Sequence, residues 1–281
     1  MREGKFSRTA HRVAIRRAAH QLFDEPKVLD DPLALRIIGA SEATQLRASN
    51  EAGKSISRAF RAFMAVRSRF AEDELARAVN HGVRQCVVLG AGLDTFAYRN
   101  PHRDLRVFEV DHPVTQAWKR ERLQAESIEI PPSLTYVPIN FEQQTLADGL
   151  SQSGFDIKSP AFFSWLGVTP YLTREAFLAT LTFIVKMPSY SGVVFDFAVD
   201  SKLLNFKQRL ALAAISARVA AAGEPFRLFF HPDQLADELK ALGFRTVAIL
   251  DGEQINARYF HYRADGLRVS QGMGRLASAW V

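Results

Sequence analysis

Cysteine is almost absent: Cys86 is the single one in 281 residues. One thiol cannot form an internal disulfide or a cysteine-rich metal site, and no metal is expected. Cys86 lies inside an apolar run and reads as a small buried hydrophobe. Long apolar runs are missing too. No stretch of about 18 uncharged apolar residues occurs, so neither a membrane span nor a membrane partner is expected. The basic start, MREGKFSRTAHRVAIRR, lacks the apolar stretch of about 7–15 residues that completes a secretory signal. A cytoplasmic protein is expected.

What is present is ample apolar material, 47% of residues, enough for one large core or for a core with a small lid. The net charge of +6 is unevenly placed. Residues 1–70 hold 14 Lys/Arg against 7 Asp/Glu, leaving 22 against 23 in the remainder. A basic arm over a near-neutral body attracts anionic substrates, nucleic acid or membrane surfaces. A solvated, arginine-rich helical face is the plain alternative.

The first 80 residues have helical periodicity: Thr9–Phe23, a short helix opened by Asp31-Pro32 and closed by Gly39, and a long one over about Glu51–Asn80 stopped by His81-Gly82. From residue 85 short apolar runs take over, at Gln85–Leu89, Leu105–Val110, Leu134–Pro138, Ala161–Trp165, Gly192–Val199 and Phe244–Leu250, with a last strand expected at Arg258–Arg263. Helical patterns at about 113–126, 142–150, 173–186, 202–222 and 231–242 separate them. The expected fold class is α/β: a seven-stranded Rossmann-like sheet, mostly parallel with one late antiparallel strand, and a helical N-terminal extension. The expected division is 1–82 for the extension or lid and 83–281 for the cofactor-binding part, the two forming one structural unit overall.

In such sheets ligands bind beyond the carboxyl ends of the strands. Gly90-Ala91-Gly92 follows the first strand directly. Glycine there lets a ligand lie along the backbone, although Gly-X-Gly alone is weak evidence. About 20 residues on, Glu109-Val110-Asp111 ends the second strand, where an acid can accept hydrogen bonds from ribose hydroxyls. The third glycine of the dinucleotide fingerprint is replaced by Thr95, and Asp94 stands in the turn. A negative charge there disfavours pyrophosphate and suits a cationic ligand. S-adenosylmethionine has a ribose, an ammonium and a sulfonium but no phosphate, and matches better than NAD. No Gly-Lys-Ser/Thr follows, which excludes a Walker-type phosphate loop.

GAGLDTFAYR, FEVDHP and FFSWLGVTPYLT, together with SRTAHRVAIRRAAH, VLDDPLA, FMAVRSRFAED and ALGF, resemble the leucine carboxyl methyltransferase-like family of S-adenosylmethionine-dependent methyltransferases, in its bacterial, actinomycete-rich branch. The resemblance implies that Gly90, Ala91 and Gly92 run along the amino-acid part of the cofactor. It gives Asp111 the ribose hydroxyls and Arg67, or Arg69 in the alternative register, the cofactor carboxylate, which a guanidinium fork suits. Asp94, Glu109, His112 and Trp165 join the cofactor site. Asn140-Phe141 stands where the family often has Asp-Leu against the adenine, and Leu166 where the eukaryotic enzymes carry glutamate. Tyr171 matches a tyrosine near methyl transfer and is the catalytic candidate.

The expected reaction is O-methylation of a small molecule, with an anionic acceptor held by Arg12, Arg16 or Arg17, or by Tyr171. A carboxylate acceptor is already ionised and needs no base, whereas a phenol or alcohol does. His112 and His231 stand nearest motif ends, and neither belongs to a triad. A nucleic-acid methyltransferase is disfavoured, since no Asn/Asp-Pro-Pro-Tyr motif and no separate RNA-binding module occur. A non-catalytic cofactor-binding protein of the same fold is the other alternative, motivated by Asn140 and Leu166.

Overall fold

Apolar β-rich runs separated by helix-length stretches call for crossover connections. The computed structural model describes residues 7–49, 55–140 and 143–281. The helices α1 (Arg8–Phe23), α2 (Ala34–Ile37), α3 (Ala40–Ala48) and α4 (Ser55–Asn80) come first. Then follow β1 (Gln85–Leu89), β2 (Arg106–Asp111), α5 (Pro113–Ala125), β3 (Leu134–Pro138), α6 (Leu146–Ser151), β4 (Ala161–Trp165), α7 (Arg174–Val185) and β5 (Gly192–Ala198). The chain continues through α8 (Phe206–Ala221), α9 (Pro232–Leu242), β6 (Thr246–Leu250), α10 (Gly252–Tyr259) and β7 (Gly274–Trp280).

The seven strands form one sheet in the order β3-β2-β1-β4-β5-β7-β6. β1 pairs in parallel with β2 and with β4, while β7 runs antiparallel to β5 and β6. The strand order reverses at β1, and this opens a crevice beyond the ends of β1 and β4. Alternation sends successive side chains to opposite faces. Phe163 and Phe195 join Phe177, Leu181 and Leu239 of α7 and α9 on one face. On the other, Phe162 and Val194 meet Val66 and Phe70 of α4 and Ile255 of α10. α4 is therefore a layer of the main core, although it precedes residue 82.

Two features differ from the sequence reading. The strand expected at Arg258–Arg263 is absent; residues 252–259 form α10, because the Asp251 side chain accepts a hydrogen bond from the Gln254 backbone while the Gln254 side-chain oxygen accepts one from the Asp251 backbone. The antiparallel strand is β7 instead, GRLASAW, whose small residues suit a crowded central position. A Cβ on the neighbouring Gly192 would lie 2.2 Å from the Trp280 ring. The helix α3 was not anticipated, and the expected start of the long helix at Glu51 lies outside the described residues.

Candidate functional site

The turn after β1 is held to β2 by its own backbone. Gly90 and Ala91 both donate to the Val110 carbonyl, at 2.8 and 3.2 Å. Gly90 and Gly92 have φ of +66° and +47°, a region that side chains rarely adopt. Packing adds to the requirement: a Cβ at Gly90 would stand 2.4 Å from Cγ2 of Val168, and one at Gly92 2.9 Å from Cβ of Ala10. The glycines thus admit the loop after β4 and helix α1 against the turn.

Asp111 closes β2 beside them. Its Oδ2 accepts from the Gly92 backbone at 2.6 Å and its Oδ1 from that of His112 at 2.7 Å. Burial pushes its carboxyl up, and these two N–H groups pull it part of the way back. Carboxylate oxygens carry about four lone-pair sites, so two N–H groups do not exhaust them.

Around this edge lies a cavity of about 360 Å³, within the roughly 300–1,000 Å³ of small-molecule sites. Its floor includes Gly90, Ala91, Gly92, Asp94 and Asp111; its roof is Thr9, Ala10, Val13, Ala14 and Arg17 of α1. Ser68 and Arg67 of α4, Ser164 of β4, and Gly223, Glu224, Pro225 and Arg227 after α8 form part of the wall. α1 is tied down at two points. At its start, Ser7 accepts from the Ala10 backbone at 3.1 Å and Glu224 from that of Thr9 at 3.3 Å. Further along, Arg17 donates to Asp94, to the Leu93 carbonyl and to Thr95, each at 3.1 Å, with Asp31 at 3.3 Å. Arg17, Leu93 and Gly90 make the roof and the turn one unit.

Arg67 reaches the cavity from α4 and pairs with Asp196 at 3.1 Å. Gly167, at φ +73°, lets the guanidinium lie on its backbone; a Cβ there would meet both Nη atoms at 2.8 Å. Arg69 instead pairs with Asp73 and does not line the cavity. Tyr171 lines the cavity with the Phe226 ring 5.2 Å away, and burial pushes its phenol up to about 12.

Several expected residues lie elsewhere. Glu109 is sealed beneath α5, where Lys119 holds both its oxygens at 2.7 and 2.8 Å. Trp165 faces the opposite side of β4 from the cavity and stacks on Phe177 at 5.4 Å; its neighbours Ser164 and Leu166 line the cavity instead. Arg12 is exposed and Arg16 lies over the Phe60 ring, whereas Arg17 does line the cavity but is enclosed by aspartates. His112 caps α5 by accepting from the Val114 backbone, and His231 begins α9; neither lines the cavity. Asn140 is half-buried off the cavity wall, and Phe141 lies outside the described residues. Asp94 lines the cavity, but Arg17 balances its charge. That weakens it both as an obstacle to phosphate and as a partner for an ammonium group.

Glu224 and Arg227 were not found from the sequence, where only the Gly223-Glu224-Pro225 turn signal marks them. Arg227 is exposed at the cavity wall and has no side-chain hydrogen bond or ion pair among the described residues. Its backbone, and that of Leu228, donate to the Pro170 carbonyl at 2.7 and 3.2 Å, so the loop is fixed beside Tyr171.

A glycine turn and a strand-end acid at the reversal of strand order define a doubly wound α/β protein that binds a nucleoside cofactor. Within that class the chain is more specific. The family model described as Leucine carboxyl methyltransferase matches residues 10–185, and the chain belongs to this family of S-adenosylmethionine-dependent methyltransferases. It is 31% identical over 95% of both chains to YktD of Bacillus subtilis, whose given name is that of an S-adenosyl-L-methionine-dependent methyltransferase. A protein of Mycobacteroides abscessus with the same kind of name is 36% identical over 60% of this chain and 56% of its own. The fold alone is shared with the crystal structure of a DUF574 family protein from Streptomyces avermitilis, at 18% identity and a TM-score of 0.53 over 94% of this chain and 96% of that one.

The residues present fit that cofactor. Asp111 has acceptor capacity left for ribose hydroxyls, and Arg67 has donors beyond the one given to Asp196. The cation bonded to the glycine turn, Arg17, is already held by Asp94 and Asp31, as a phosphate-free ligand allows.

Proposed function

We propose that this protein methylates an oxygen atom of a small anionic acceptor, and that the acceptor group is a carboxylate. The observation that carries this reading is Arg227, the cavity-wall arginine with no side-chain partner among the described residues, set beside Tyr171 in a cavity that no histidine lines. An ionised carboxylate needs a cation to hold it and no base to activate it. S-adenosylmethionine, when bound, supplies a methyl group on a positively charged sulfur. Arg67 holds the cofactor carboxylate, Asp111 accepts from the ribose, and the Gly90–Gly92 backbone lies along the amino-acid part. Tyr171, its phenol protonated far above neutral pH, orients by hydrogen bonding and removes no proton. Helix α1 excludes water and keeps the reacting groups close.

The first test is titration calorimetry with S-adenosylhomocysteine. The wild type is expected to bind, and Asp111→Asn to bind at least about tenfold more weakly, the loss of one charge-assisted bond of roughly 1.5–3 kcal/mol. Absence of binding by the wild type overturns the reading. The second test incubates the enzyme with methyl-labelled cofactor and a panel of small carboxylic acids. Label released by mild alkali identifies an ester; alkali-stable label on a hydroxylated acceptor would reverse the choice of carboxylate. Arg227→Gln is expected to raise KM for the acceptor about tenfold or more while leaving cofactor affinity unchanged.

A further inference from the structure

Helix α8, Phe206–Ala221, rests on the body by only one side: Leu212 and Val219 are buried, and the rest of the helix is half-buried or exposed. Its outward side is not polar. At 3.6 residues per turn, Phe206, Leu210, Ala213, Ala214, Ala217 and Ala221 share an outward arc of about 100°. Phe206 is 73% and Leu210 64% exposed, and Leu203 just before the helix is 47% exposed. Cations border this arc on both sides, Lys207 and Arg218 on one and Arg209 on the other, all exposed. No Asp or Glu occurs between residues 201 and 222, and Lys202 adds a further positive charge.

We infer that α8 is a peripheral docking helix for an anionic lipid surface. An apolar centre with lysine and arginine at its edges is the pattern of a helix lying in the membrane interface, its long cationic side chains reaching back to the headgroups. The complement of this face must be apolar in the middle and negative at both margins, and an anionic bilayer presents that everywhere. A second copy of α8 presents cations at the same margins and is repelled by them. No helix among the described residues is long and apolar enough to cross a membrane, so the contact is with the surface. Gly223, Glu224, Pro225 and Arg227, just after α8, line the cavity, so docking brings that wall of the cavity close to the lipid.

The test is co-sedimentation of the full chain with vesicles of phosphatidylcholine and phosphatidylglycerol in equal parts, and with phosphatidylcholine alone. Binding is expected to the mixed vesicles, to weaken as salt is raised, and to be about tenfold or more weaker for F206S/L210S. For K207Q/R218Q the salt dependence is expected to flatten. All four positions are exposed and off the cavity wall, so each variant keeps its affinity for S-adenosylhomocysteine, and a variant that loses it is misfolded and is replaced by the single substitutions. No binding to the mixed vesicles overturns the inference, as does equal binding by F206S/L210S. So does a stable dimer, by light scattering, that F206S/L210S dissociates, or capture of a synthetic acidic amphipathic peptide without vesicle binding.

Discussion

A single methyl group at Gly90 would meet two obstacles, a φ of +66° and Cγ2 of Val168 at 2.4 Å. Gly90→Ala is therefore expected to cost about 2–4 kcal/mol, the sum of left-handed strain and overpacking, measured by urea denaturation. Val168→Ala in the same chain is expected to recover the overpacking part and leave the strain. The sequence made the turn visible, but its glycines pointed to a ligand approaching the backbone, and the overlap with Val168 and Ala10 comes from elements 78 and 82 residues away in one case and the other direction respectively. The same distinction separates Asp111 from Glu109. Both point to one face of β2, and only the position of α5, with Lys119 over Glu109, decides that one is enclosed and the other meets the cavity. Arg227 had no motif to reveal it, because its placement depends on backbone bonds to Pro170.

At the scale of elements, α1 and α4 are joined through one buried cluster. His20 accepts from the Val28 and Leu29 backbones through Nε2, which leaves Nδ1 as donor to Asp24 at 2.9 Å. Arg61 of α4 donates to both oxygens of Asp24 at 2.7 Å. Burial alone would push the Asp24 carboxyl up; the bonds from Arg61 and His20 outweigh it and hold it below the ordinary aspartate range. A lowered folded pKa contributes stability above the unfolded value, and this is lost as pH falls through the folded one. Asp24→Asn is expected to cost about 3–5 kcal/mol at neutral pH by leaving Arg61 without its counter-charge. Its stability is expected to fall less steeply than that of the wild type below about pH 4, as thermal unfolding across pH 2–7 would record. Elements were legible where local pattern and tertiary position agree: β1, β3 and β4 have the bounds their apolar runs gave. They were illegible where the two disagree. RYFHYR has the aromatic content of a strand but begins in the last turn of a helix capped at Asp251, while GRLASAW has little β-branching and is a central strand.

For the whole molecule, the boundary at residue 82 between extension and cofactor-binding part runs through a shared core, as one structural unit requires. Val28, Val66, Phe70 and Leu75 lie in one apolar cluster with Cys86, Val107, Phe162 and Ile255. We propose that residues 83–281 do not fold without the preceding helices, since one face of the sheet would lose its α4 layer. Expressed alone, that segment is expected to lack a cooperative thermal transition and to bind a hydrophobic dye, whereas a compact, cooperatively unfolding fragment would make the two parts separate units.

The place of β7 carries a consequence for how the chain is made. β5 and β6 are neighbours of β7 on either side, and both precede it in the chain. On the ribosome, β6 therefore emerges with no strand to pair with and β5 with an open edge. At roughly 5–20 residues per second, the interval from Leu250 to Trp280 lasts about 2–6 s. During it the nascent protein displays two unpaired edges, the form most prone to joining another chain. Synthesis rate across these residues, slowed or hastened by codon choice, is thus a lever on soluble yield that leaves the finished protein unchanged.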